Sequence, residues 1–235
     1  MKRTAKYTPR RLNRYVPAMA YSADVILGGP HEVRFGPVAL ASTTLLLNAQ
    51  AVVAATAYTT ILNDGNTDPV NDDYSEEFPH GPGFGRCLQI AFGAANAGIV
   101  TISGRDYLGQ PVTESFTANG TTPVIGVKAF KWVDSVTSTL AGDISVGTTD
   151  KLGLPYATQN ILGEQADGAR VATLGTFVSP SYTDPQTATT ADPRGTYDPT
   201  TTLDGVKFLS AEIIVHNALN ADGNGGLYGL AHYGG

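Results

Sequence analysis

The acidic run Asp64-Gly-Asn-Thr-Asp-Pro-Val-Asn-Asp-Asp73 begins with the oxygen spacing of a calcium loop, Asp64, Asn66 and Asp68 standing at the first, third and fifth positions. A hard cation needs a shell of carboxylate and carbonyl oxygens. The loop must therefore turn sharply through a Gly at its sixth position and close with a bidentate Glu at its twelfth. Here those positions hold Pro69 and Ser75. The motif fails, and a solvated acidic loop is the expectation, with a nonstandard calcium site as the alternative. Asn220-Ala-Asp-Gly-Asn-Gly-Gly226 has similar spacing without a terminal acid and reads as a tight turn.

His31, His80, His216 and His232 are widely separated, and none forms a His-x-x-x-His pair. His216 and His232 could meet across a C-terminal hairpin, but no third ligand accompanies them. The carboxylate pairs Asp72-Asp73 and Glu76-Glu77 are adjacent on a loop rather than opposed across a cleft. No Gly-x-Ser-x-Gly elbow, phosphate-binding loop or Gly-x-Gly-x-x-Gly fingerprint occurs. The single cysteine, Cys87, rules out an intrachain disulfide and a Cys-based zinc site. In Gly85-Arg-Cys-Leu-Gln-Ile-Ala-Phe92 alternation sets Cys87, Gln89 and Ala91 opposite Leu88, Ile90 and Phe92. This predicts a half-buried structural thiol. Catalytic residues, metal and cofactor are all expected to be absent.

The residues best suited to work on a partner lie at the two ends. Lys2, Arg3, Lys6, Arg10, Arg11 and Arg14 put six positive charges in the first 14 residues, and no acid precedes Asp24. Of 15 basic residues that leaves nine for the remaining chain, against 21 acidic ones, so the formal net charge of −6 conceals a basic arm on an acidic body. Pro9 and Pro17 and the lack of periodicity preclude a helix there. The arm is expected to order against a neighbouring acidic surface, the bland alternative being a solubilising tail. Nucleic acid is disfavoured because the acidic body would repel phosphates. Near the other end, Tyr228 and Tyr233 are candidate interface anchors, each offering large contact area with few rotors. A carbohydrate platform would use the same residue type.

The elements that must hold these residues read as all-β: a β-sandwich or jelly-roll-like barrel with long extended arms and loops. Residues 1–30 form the basic extended arm, and 31–235 a single β domain with an acidic loop at 63–85 and a polar extended excursion at 179–202. Ile99–Thr117 predicts a hairpin turning through Asp106, Gly109 and Pro111. Gly120–Trp132 predicts a further pair of runs broken by Pro123 and Gly126, with Phe130 and Trp132 in the core. Other strands are expected at Glu32–Phe35, Leu45–Leu47, Thr56–Leu62, Gly142–Gly147, Phe208–His216 and Gly226–Tyr233. Ala-rich Asn48–Ala55 predicts a short helix. An irregular part is expected from Lys151, and Ser179–Thr202, with four prolines, is expected to run over a surface. The last strand returning after that excursion predicts that first and last elements are neighbours.

Charged residues are only 15% of the chain, against about 25% in typical domains. A surface of small neutral groups suits extensive protein contact, since little charge must be desolvated there. Met1-Lys-Arg starts like a signal peptide, but Arg10, Arg11, Asn13 and Arg14 interrupt any apolar stretch. Polar residues also interrupt Val38–Leu62, so no membrane span is expected.

Gly104, Asp106, Gly109, Pro111 and Glu114, followed by Gly126, Lys128, Ala129 and Phe130, resemble a segment of tailed-bacteriophage virion proteins. There a Gly-x-Asp-x-x-Gly-x-Pro hairpin leads to a Gly-x-Lys-Ala-Phe strand. Val146–Pro155 is similar too, as is Asp192-Pro-Arg-Gly-Thr-Tyr-Asp-Pro199 leading to the C-terminal Leu-Tyr-Gly-Leu-Ala-His-Tyr. The resemblance carries no catalytic residue across. It implies a particle component, closest to the capsid decoration or cement proteins that sit on the shell and tie capsomers together. The implied partners are the major capsid protein and copies of the chain itself, as dimer or trimer. The implied location is the capsid surface, after synthesis in the host cytoplasm. Another virion position (tail, neck or fibre base) and a carbohydrate-binding β-sandwich module are the alternatives.

Overall fold

A computed structural model describes residues 30–59, 83–94, 98–181 and 191–215. Every regular element among them is a β-strand, and every strand pairing is antiparallel. The all-β expectation holds.

Three sheets share the work. In the first, β1 (Pro30–Pro37), β14 (Phe208–Val215), β10 (Thr158–Ala166) and β11 (Ala169–Arg170) lie in that order. The first and last described strands are thus neighbours, while the final strand expected at Gly226–Tyr233 lies outside the described residues. The middle sheet runs β12 (Thr176–Val178), β13 (Thr196–Asp198), β9 (Gly142–Gly153), β4 (Arg86–Phe92) and β7 (Val124–Phe130), with β2 (Leu47–Val52) also on β9. The third runs β3 (Ala57–Tyr58), β8 (Trp132–Ser138), β5 (Ile99–Arg105) and β6 (Pro111–Thr117).

Two apolar cores result. Val33, Phe35, Leu209, Ala211, Ile213 and Val215 of the first sheet pack with Leu152, Leu154, Tyr156 and Tyr197. Val100, Ile102, Val112, Phe116 and Val136 of the third sheet pack with Leu88, Ile90, Phe92, Ile144 and Val146 of the middle one. β9 is long enough to serve both: Ile144 and Val146 enter one core and Leu152 the other.

The hairpin forms as read. β5 and β6 pair in unbroken register from Ile99↔Thr117 to Arg105↔Pro111. Strict alternation sends Val100, Ile102 and Gly104 inward from β5, and Val112, Glu114 and Phe116 from β6. Asp106 Oδ1 accepts the Leu108 and Gln110 amides at 2.8 and 2.9 Å, and Gly109 takes the turn's positive φ of 78°.

Several expectations are corrected. Asn48–Ala55 is not a helix: it is strand β2 and the turn to β3. Pairing with β9 and positive φ at Ala49 and Ala55 override the helical preference of alanine. Gly126 does not break its segment but lies within β7. Lys151 opens no irregular part, because β9 continues to Gly153 and β10 follows. Trp132 is only partly buried at the start of β8. Cys87 is fully buried, because β4 is hydrogen-bonded on both sides by β7 and β9 and bulges next to it.

A Cβ on Gly104 would collide with the Trp132 carbonyl oxygen and meet Phe130 Cδ1 at 3.0 Å, whereas one on Gly109 would meet nothing. Gly104→Ala is expected to cost about 1–3 kcal/mol through overpacking. Gly109→Ala should cost about 1 kcal/mol, from backbone strain alone. Urea unfolding of both variants checks the order.

Candidate functional site

The tip of the β5–β6 hairpin carries charge into the interior. Asp106 and Arg194 form an ion pair at 2.9 Å, and each side chain is only 2% exposed. Arg194 belongs to Asp192-Pro-Arg-Gly195, which leads into β13. Asp192 closes that turn: its Oδ1 accepts the Arg194 amide at 2.8 Å and its backbone oxygen the Gly195 amide at 3.0 Å. Its Oδ2 accepts the Ala129 amide of β7 at 3.0 Å, tying the turn to the middle sheet. The Arg194 guanidinium carbon also lies 5.0 Å from the centre of the Tyr107 ring, a cation–π contact. Tyr107 packs edge-on against Phe84 and donates its hydroxyl to the Pro155 carbonyl at 2.5 Å. One hairpin thus places its arms in one core and its tip against the other.

Glu114 is the second interior charge. It projects from β6 between Val112 and Phe116 with no exposed surface. Its Oε1 accepts the Val127 amide at 2.7 Å, and among the described residues its Oε2 has no hydrogen-bond partner. A Cβ on Gly126 would stand 2.5 Å from Oε2, so only glycine leaves room for this carboxyl under β7. Lys128, one inward position further along β7, is also fully buried.

Burial dominates the titration of both acids. It pushes Glu114 up to about 7, against the opposing pull of the Val127 amide and Lys128. It raises Asp192 as well, despite Arg194 and the amides that Asp192 accepts. Burial alone would lower the Arg194 guanidinium, but Tyr107, Asp106 and Asp192 outweigh it, and the group holds its proton more firmly than usual. The Cys87 thiol is pushed well up by burial and by Glu114 and Asp192, which suppresses thiolate and hence nucleophilicity.

Two more buried charges brace the surroundings. Arg86 donates to the Thr149 and Ala39 carbonyls at 2.7 and 2.8 Å and to Asp150 at 3.0 Å, and burial lowers it to about 10. Glu164 accepts the Tyr197 hydroxyl at 2.5 Å and the Thr200 and Thr201 amides at 3.0 and 2.8 Å. Burial opposes its charge, but these donors prevail and hold it below the usual carboxylate range.

Lys2, Arg3, Lys6, Arg10, Arg11, Arg14, Tyr228 and Tyr233 all lie outside the described residues, as does the run Asp64–Asp73. Among the described residues no cluster of three or more His, Cys, Asp or Glu could hold a metal. No described helix is long and apolar enough to cross a membrane. The excursion at 179–202 is corrected in its described part: Asp192 to Tyr197 are buried, because the polar residues there answer charges already inside. Arg194, Asp192, Glu114 and Lys128 were not singled out as site residues by the sequence. A signal existed: a charge at an inward position of an alternating strand, as in Val112-x-Glu114-x-Phe116 and Gly126-x-Lys128-x-Phe130.

A carboxyl titrating near neutrality has the proton affinity of a general acid or base. Glu114, however, has no exposed surface, so a substrate could reach it only if the strands parted. The arrangement is built to join strands. In comparisons with known proteins, no family model, no curated protein and no solved structure matches the chain.

Removing one partner of a buried ion pair strands the other, so Arg194→Met is expected to cost about 3–5 kcal/mol in urea unfolding. The Asp106→Asn/Arg194→Met double variant should cost less than the two single variants combined. For Glu114 the folded value lies above the ordinary 4.5, so the folded state binds more protons and stability falls as pH rises through this window to about 7. Asp192, also raised, acts with the same sign. Glu114→Gln is expected to gain about 2–3 kcal/mol relative to the parent between acid and mildly alkaline pH. Thermal unfolding across that range measures the difference.

Proposed function

We propose that the chain is a non-enzymatic structural protein of a tailed-phage particle, a capsid cement protein that binds the outer shell and ties capsomers together. What supports the reading is that the separated segments carrying the resemblance converge on one interior cluster. Asp106 meets Arg194, Glu114 lies over Gly126, and Asp192 bonds Ala129. The motif residues behave as one structural unit, which suits a scaffold role.

A cement protein works by area and repetition. Each contact is weak, symmetry repeats it, and linkage raises the effective concentration of the next contact. The low charge of this chain suits broad contact, and the basic arm with Lys2, Arg3, Lys6, Arg10, Arg11 and Arg14 suits reaching onto an acidic neighbour. Such a protein would be made in the host cytoplasm and end on the capsid surface.

Deleting residues 1–16 is expected to leave unfolding unchanged while weakening co-sedimentation with undecorated shells, most at low salt, where the arm's charges are least screened. Undiminished binding of the truncated protein would overturn the arm's role. Cryo-EM density on a tail or neck, and none on the shell, would replace the cement reading with another particle position.

A further inference from the structure

A buried amine and two buried carboxyls meet at β7. Lys128 stands at an inward position of that strand, between Gly126 and Phe130, with no exposed surface. The carboxyls are fastened to the backbone on either side of it. The Val127 amide donates to Glu114 Oε1 at 2.7 Å, and the Ala129 amide donates to Asp192 Oδ2 at 3.0 Å. Residues two apart on a strand share a face, so the side chain of Lys128 leaves β7 on the side where Gly126 makes room for Glu114. Glu114 Oε2, which has no hydrogen-bond partner among the described residues, lies on that side, 2.5 Å from where a Gly126 Cβ would stand. The charge of Lys128 acts on both Glu114 and Asp192, and the two acids act on each other.

An ammonium and a carboxylate are costly to keep in a dry interior, even beside each other. Burial favours the neutral amine and the neutral acid, and Asp192 is already raised from its ordinary value by burial. Arg194 does not depend on Asp192 for a counter-charge, since Asp106 lies 2.9 Å from it. Lys128 and Asp192 can therefore lose their charges together without stranding the arginine. A neutral amine held against a neutral carboxyl group, away from water, is placed for acyl transfer.

We propose that Lys128 and Asp192 join in an intramolecular amide, with Glu114 carrying a proton between them. The Lys128 ammonium first passes one proton to Asp192. Nζ then adds to Cγ, and Glu114 Oε2 moves a second proton from the nitrogen to the departing oxygen. One Nζ–Cγ bond forms, one Cγ–O bond breaks and water leaves, with nothing oxidised or reduced. The Ala129 and Arg194 amides, which already donate to Asp192, stabilise charge on oxygen as the nitrogen adds. The oxygen that stays has lone pairs for both of them. The bond ties β7 to the turn that presents Arg194, and it replaces two buried charges by one neutral amide. It does not depend on the particle reading.

Mass spectrometry of the intact, folded full chain is the test. The chain is expected to be lighter than its sequence by one water. Digestion should then release a branched peptide that joins the Lys128 segment to the Asp192 segment. Lys128→Arg and Asp192→Ala should each restore the full sequence mass; should either fail to fold, the parent's mass and its branched peptide still decide. Glu114→Gln should slow the loss of water about a hundredfold, followed by mass over time after synthesis, without preventing it. Its stability is therefore compared with the parent once both have reacted. A parent that keeps its full sequence mass through prolonged incubation at neutral pH would overturn the proposal. So would a water loss that maps to other residues or persists in Lys128→Arg. Bond formation at the parent's rate in Glu114→Gln would overturn the proton-carrying role of Glu114.

Discussion

The ion pair between Asp106 and Arg194 is the interaction on which the rest of this molecule depends. Two desolvated charges are tolerable only with close geometry and satisfied neighbours. Meeting that demand fixes much else. Asp106 must cap its own turn, Arg194 must lie against the Tyr107 ring, and Asp192 must close the turn that presents Arg194. Because the hairpin arms belong to one apolar core and its tip touches the other, the pair also sets how the two cores sit against each other. An all-apolar junction would be less particular about register, since hydrophobic contact is not directional.

How much of this was legible in the sequence depends on the range of the interaction that decides each element. The β5–β6 hairpin was readable to its turn residues, because alternation and Asp106, Gly109 and Pro111 act locally. β14 was readable from its run of β-branched and aliphatic residues. Asn48–Ala55 was misread because alanine favours helix locally, while pairing with β9, about a hundred residues away, decides the outcome. Asp192–Tyr197 was misread for the converse reason: polar residues look like surface until their partner, Asp106, is known. Glu114 lay in plain view at an inward position. Reading it as interior required trusting alternation over polarity, and Gly126 within β7 makes that interior position habitable.

The consequence for function is a division of labour. The interior charges are committed to one another and to backbone groups, and they hold a scaffold together. In the proposed reading, recognition falls to surfaces: the low-charge exterior and the basic arm. A fold organised this way suits a protein whose task is to be present, stay rigid and touch neighbours. Its affinity would come from repetition rather than from one deep site.

Native-state hydrogen exchange tests the central claim most directly, because it reports whether the junction opens with the cores or by itself. If the charged cluster fastens the two cores together, the amides of Gln110, Ala129 and Arg194 exchange only through the global opening that releases Ile90 and Val146. Exchange of Gln110 and Arg194 at markedly lower free energy, with Ile90 and Val146 still protected, would contradict it.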